Sequence, residues 1–171
     1  METMKAITSR KSVRSYKQDQ ISDDVLDAIL KAGRAAPVAS GNYDSLHLTV
    51  VQNKEILEKI SDAISKMMNK KNAMSFGAPT IIILSSMKPN FPGIDFANAG
   101  CILENIVIAA TDHKVDSILY GGGALAVKAN DELRKLLAIP DGFNPLLGVA
   151  LGYAAVPDEM VKNHEISMNR I

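Results

Sequence analysis

Near the start of the chain, the run SRKSVRSY (residues 9–16) interleaves three cations, Arg10, Lys11 and Arg14, with three hydroxyls, Ser9, Ser12 and Ser15. That chemistry suits an anion. A guanidinium presents a planar fork of donors that matches phosphate oxygens, and a serine hydroxyl adds a donor to the same group. Positions 10, 11 and 14 fall on one side of a helical turn or its entry. The same spacing also describes the solvated, basic end of an N-terminal helix, and these residues alone leave both readings open.

A second stretch is YGGG, Tyr120 to Gly123. Gly121, Gly123 and Ala126 satisfy G-x-G-x-x-A after a strand, the start of a dinucleotide-binding crossover. The rest of that unit is missing, because the following strand, PLLGVALGY, carries no acidic residue to hold a ribose. A Rossmann crossover is therefore set aside. Glycines lacking side chains also let backbone N–H groups approach the edge of a flat ring, and a flexible turn uses the same residues. Residues 36–45 (APVASGNYDS) leave a helix through small polar side chains, the composition of many ligand-lining loops and of ordinary ones.

Other chemistries find little support. Cys101 is the single cysteine, which excludes an internal disulfide and a cysteine-cluster metal site. Its apolar surroundings predict a buried, structural thiol. His47, His113 and His164 lack metal-ligand spacing, and no G-x-S-x-G elbow supports a hydrolase.

The elements that must position these residues follow from patterning. The chain has 171 residues, 19 basic and 19 acidic side chains, and 47% hydrophobic residues. That length fits one domain, residues 1–171, with 154–171 a polar tail. Zero net charge argues against nucleic acid. The N-terminus lacks a signal-peptide core, and the apolar stretch 97–110 is too short to span a bilayer. A soluble, cytoplasmic protein with no membrane partner is expected.

Ser22, Asp23 and Asp24 open a helix that residues 33–37 bring to an end. LHLTVVQ reads as a strand, and residues 53–70 as a helix capped by Asn53. APTIIILSS reads as a strand covered on both faces. A long helix from Asp95 is apolar around nearly its whole circumference, so it belongs centrally in the domain or against a second subunit. VDSILY is a strand feeding a glycine loop. Asn130 caps a helix that Pro140 ends, and PLLGVALGY is the last strand. Strands and helices alternate, which predicts an α/β or α+β domain with one central sheet.

In this order the segments resemble the nitroreductase family of FMN-dependent oxidoreductases. The resemblance runs from residue 4 to about 153 and rests on ITSRKSVRSY, APVASGN, APTIIIL, DFANAGCILENIVIAA, the glycines after VDSILY, and LLGVALGY. It implies an α+β fold with a central, mostly antiparallel sheet flanked by helices, in an intertwined homodimer holding FMN at the subunit interface. Arg10, Lys11 and Ser12 would then take the phosphate and ribityl chain, and Arg14 the pyrimidine edge. Pro37, Val38, Ala39 and Ser40 would cover the ring from the other subunit, with Asn42 on the substrate side. Leu119, Gly121 and Gly122 would lie along the flavin. Lys162 and His164 in the tail would close on the phosphate, with Arg170 competing for that role.

The implied activity is hydride transfer from NADH or NADPH through flavin N5 to a small-molecule acceptor such as a nitroaromatic or quinone, by a ping-pong cycle. An FMN-binding sensor or carrier without turnover, and a specialised reaction such as dehalogenation, are the alternatives. Family members often carry N-x-Q-P-W after the first helix. Here the run is Asn42, Tyr43, Asp44, Ser45 and Leu46, so substrate preference does not transfer.

Overall fold

A short helix, α1 (Thr3–Ser9), precedes α2 (Asp23–Arg34). Asp23 and Asp24 sit at the positive end of the α2 dipole and Lys31 and Arg34 at the negative end. Ser22 occupies the cap position, but its hydroxyl makes no capping bond. Two single 3-10 turns lead into β1 (Leu46–Val51), followed by α3 (Lys54–Met68) and β2 (Thr80–Ser86). The Asn53 side chain accepts from the Ile56 N–H at 3.2 Å, as its position before α3 predicts. Then come α4 (Ile94–Asp112), β3 (Asp116–Leu119), α5 (Gly121–Lys128), α6 (Asp131–Leu136) and β4 (Asn144–Gly152). This computed structural model describes residues 2–69, 76–156 and 164–171.

The four strands form one antiparallel sheet in the order β1-β2-β4-β3. All seven residues of β2 are buried, which its unbroken apolar run predicts. Successive strand side chains alternate between faces. Ile81 and Ile83 join Ile60 and Ile64 of α3 and Ala124 and Val127 of α5 on one face. Ile82 and Leu84 join Ile29 of α2 and Leu103, Ile106 and Val107 of α4 on the other. Each such aliphatic side chain contributes roughly 1.5–3 kcal/mol on burial, so β2 holds both layers to the sheet.

Two elements end or begin elsewhere than patterning predicts, whereas α2 ends inside the 33–37 stretch expected for its exit. Gly33 lies within α2 and is buried there, because a β-carbon would stand 2.7 Å from the Ile106 side chain of α4. It is a contact point between helices as well as the start of the exit stretch, and α2 ends at Arg34. The helix capped by Asn130 stops at Leu136, before Pro140 is reached. Ala138 turns left-handed (φ 48°), and the N–H groups of Ala138 and Ile139 return to the carbonyls of Lys135 and Arg134. Gly121 to Gly123 form the first turn of α5, where a loop is expected.

α4 is central on one side only. Asn98, Ala99, Ile102, Leu103, Ile106, Val107 and Ala110 are buried, whereas Phe96, Ala97, Gly100, Cys101 and Glu104 face outward. Cys101 is thus exposed, and the expectation of a buried thiol is wrong. Periodicity could not separate the faces, since both are apolar or small. With 19 residues the helix is also long and apolar enough to cross a membrane by length and composition. Its inner face packs against α2, β3 and β4.

Candidate functional site

After α1 the chain runs extended as a strap across the ends of β3 and β4. Ser12 makes a parallel bridge to Ser117, and the Val13 N–H donates to the Ser117 carbonyl at 3.0 Å. Tyr16 bridges Ala154, and the Lys17 N–H donates to the Tyr153 carbonyl at 2.8 Å. Val13 and Tyr16 are the apolar anchors that draw the strap onto the core. Arg10, Lys11 and Ser12 are half-buried, and Arg14 is exposed. The helical turn expected for these cations does not exist. Arg10 caps the C-terminal end of α1, with its N–H donating to the Ala6 carbonyl at 3.1 Å, and the other cations lie on extended chain. Donors interleaved with anchors suit such a strap as well as they suit a helix.

The strap lies one strand spacing, roughly 4.8 Å, from β3. Leu119 ends β3 with its side chain 55% exposed. Tyr120 is buried, and its N–H donates to the Gly148 carbonyl at 2.6 Å. Tyr120 offers α5 no side-chain cap. The first backbone N–H groups of the helix therefore lack partners within it, and they sit on glycines. A β-carbon at Gly122 would meet no atom within 4 Å, and one at Gly121 only the tip of Leu147 at 3.9 Å. Gly123 is different, since the Tyr120 ring occupies the space its β-carbon would need. The strap bearing Arg10, Lys11, Ser12 and Arg14 is thus joined to β3, which Leu119 ends and which Gly121 and Gly122 follow. Burial raises the phenol pKa values of Tyr16 and Tyr120; for Tyr16 the Asp116 carboxylate raises it further and Arg14 opposes.

Pro37, Val38, Ala39, Ser40 and Asn42 lie on the connection between α2 and β1. The loop passes through a 3-10 turn with Ser40 at φ 56° and Gly41 at φ 63°. Tyr43 Oη donates to the Ala36 carbonyl at 3.1 Å, and Ser45 Oγ to the Asn42 carbonyl at 2.7 Å. Asn98 Oδ1 of α4 accepts from the Ala39 N–H at 3.0 Å. Ala39, Ser40 and Asn42 border a small cavity against the segment after β2 and the first turns of α4. These hydrogen bonds run to α4 and within the loop itself, and the cavity that the loop borders is lined by neither the strap nor α5.

His164 is exposed, as are Ile166 (91%) and Met168 (84%) beyond it. Lys162 lies outside the described residues. Sequence reasoning missed Asn98 as a site residue. Its one visible signal is an amide interrupting an apolar helix, and nothing local says which backbone group it serves.

Comparison with known proteins shows the family and the fold. A family model described as the nitroreductase family matches residues 7–153. An Archaeoglobus fulgidus protein provisionally named NADH dehydrogenase/NAD(P)H nitroreductase is 34% identical over 158 residues, 89% of this chain and 85% of its own length. An FMN reductase [NAD(P)H] of Bacillus subtilis is 26% identical, covering 99% of this chain and 76% of its own. Among solved structures, a nitroreductase with bound FMN from Desulfitobacterium hafniense DCB-2 superposes with a TM-score of 0.85 at 25% identity, over 99% of this chain and 100% of that one. Another with bound FMN, from Bacteroides fragilis NCTC 9343, gives 0.82 at 28% identity over the same shares.

Proposed function

This chain belongs to the nitroreductase family, and from that premise we propose that it is an FMN-dependent oxidoreductase that draws reducing equivalents from NADH or NADPH and works as a homodimer. One observation carries the reading. The strap that carries the cations is bridged to β3 through Ser12 and Ser117, and the uncapped glycine turn of α5 follows the same strand, in a fold that superposes on FMN-bound nitroreductases.

The residues fit the group. A phosphate dianion calls for charge-assisted donors, which Arg10, Lys11 and Ser12 supply. A planar ring calls for an open wall, which Leu119, Gly121 and Gly122 supply: the leucine is exposed and no atom stands over Gly122. Arg14 is assigned to the pyrimidine edge, where a cation favours the reduced, anionic flavin. FMN, when bound, supplies the centre that accepts hydride from nicotinamide and passes it to a nitroaromatic, quinone or similar acceptor. The protein's own work is to hold, orient and screen. Such chemistry asks no side chain to act as nucleophile, in keeping with a site built from cations, glycines and backbone.

A second subunit is assigned because one chain supplies the site in two separated pieces. Pro37, Val38, Ala39 and Ser40 lie away from their own strap and are placed over the partner's ring, with Asn42 towards the acceptor. The outward face of α4, with Phe96, Ala97, Gly100 and Cys101, is the matching apolar surface, and small residues there let two helices approach closely. Residues 164–171, whose Ile166 and Met168 are exposed and join neither core cluster among the described residues, are assigned to the partner's surface. Lys162, His164 and Arg170 on that tail are the candidates for a further cation at the phosphate.

Anaerobic titration of the FMN-loaded protein tests the activity. NADH or NADPH should bleach the visible flavin absorbance, and a quinone or nitroaromatic should restore it. Bound flavin that neither nicotinamide bleaches would mark a carrier or sensor instead.

A further inference from the structure

α4 buries seven residues, of which Asn98 alone is polar. Its Oδ1 accepts from the Ala39 N–H at 3.0 Å. Two turns further on, Asn105 Nδ2 donates to the Ala32 carbonyl at 3.1 Å. Residues seven apart share a helix face, so one face of α4 holds the end of α2 at Ala32 and the following loop at Ala39. Between these points Gly33 lets α2 close onto Ile106.

The loop needs such holding. Ser40 and Gly41 are both left-handed, at φ 56° and 63°, and a residue with a β-carbon keeps that conformation only where its surroundings impose it. The turn has its own bond from the Gly41 N–H to the Val38 carbonyl at 3.0 Å. That closes the turn without fixing its place. Asn98 ties it to the body of the protein.

We propose that Asn98 is a positioning residue for the cofactor: its amide oxygen fixes the backbone at Ala39 so that residues 38–42 keep the shape that covers the flavin of the partner subunit. The proposal rests on the flavin reading above. It adds a mechanical link, because Ala97 and Cys101 on either side of the Asn98 turn face outward, where the second copy is assigned. The helix that meets the partner thereby also sets the loop that closes the partner's site.

The test compares the parent protein with Asn98→Leu, which removes the acceptor at similar volume, and Asn98→Asp, which keeps an acceptor oxygen. Two quantities are read: amide hydrogen exchange of a peptide spanning residues 37–45 in flavin-free protein, and the Kd for FMN. Stranding a donor by removing its acceptor is expected to speed exchange there, and to raise the Kd, by about tenfold in Asn98→Leu. Asn98→Asp should return both to within about threefold of the parent. If Asn98→Leu does not fold, Asn98→Ser carries the same comparison. An Asn98→Leu protein that melts lower yet keeps parental exchange at 37–45 and parental FMN affinity overturns the proposal, as does failure of Asn98→Asp to rescue. A parent protein that takes up no FMN overturns the flavin reading itself, and the proposal with it. The exchange comparison still reports whether Asn98 holds the loop.

Discussion

Ser12 and Ser117 face each other across a parallel bridge, and the neighbouring Val13 N–H donates to the Ser117 carbonyl at 3.0 Å. This pairing converts a basic run near the N-terminus into one wall of a site. Without it, Arg10 and Arg14 would be ordinary surface charges. With it, they stand beside the strand that leads to Leu119 and the glycines of α5.

Arg10→Ala should weaken FMN binding by roughly 10–150-fold, the equivalent of a lost charge-assisted hydrogen bond worth about 1.5–3 kcal/mol. Quenching of flavin fluorescence measures it. Riboflavin, which has no phosphate, should bind parent and variant alike. Equal weakening of both ligands would remove Arg10 from the phosphate.

Gly122 and Gly123 are adjacent but should respond oppositely to alanine. At Gly123 the new methyl would overlap the Tyr120 ring; overpacking of this kind costs about 2 kcal/mol, which lowers Tm by about 4–8 °C. At Gly122 the methyl meets no protein atom. The Gly122→Ala protein should gain about 0.5–1 kcal/mol from reduced chain entropy, yet bind FMN poorly because the methyl enters the flavin's space. Thermal melts of flavin-free protein and FMN titrations separate the two effects.

Tyr16 and Tyr120 predict the alkaline limit of stability. Burial raises both phenols above their ordinary value, with Asp116 adding to the effect at Tyr16. The folded state therefore holds these protons more tightly than the unfolded chain does. Their contribution is complete below about pH 10, the ordinary phenol value, and is lost as pH rises above it. The slope is at most about 1.4 kcal/mol per pH unit for each phenol. The Tyr120 hydroxyl is buried with no hydrogen-bond partner among the described residues, so Tyr120→Phe should be neutral or stabilising by up to about 1 kcal/mol at neutral pH. Urea unfolding of both proteins from pH 8 to 11 should show a shallower alkaline decline in the variant. A steeper decline would contradict the assignment.

The parts of this fold legible in the sequence are those set by neighbours along the chain. Asn53 and Asn130 announced their helices because a cap acts within three residues, and the run from Thr80 announced a strand covered on both faces. The misreadings share a cause at longer range. Cys101 is exposed because α4 leaves one apolar face uncovered by its own chain, which composition cannot distinguish from a buried face. The glycines after Tyr120 entered a helix because Gly123 can accept the Tyr120 ring and the strand before them is locked to Gly148. The extended strap of cations is not legible locally because its partner, Ser117, lies 105 positions from Ser12. Asn98 and Ala39 are 59 positions apart, which hid the tie between helix and loop.

The central claim is that each flavin site combines the strap of one chain with the loop of its partner. A mixed dimer tests it most directly. One chain would carry Arg10→Ala with Ser12→Ala, the other Ser40→Trp, and two affinity tags would isolate the pair. Neither variant alone should retain FMN. In the mixed dimer, one site combines both defects while the other combines an intact strap with an intact loop, so the account predicts one tightly bound FMN per two chains. A mixed dimer that binds no more FMN than its parents would mean that strap and loop serve the same chain, and the shared site would have to be abandoned.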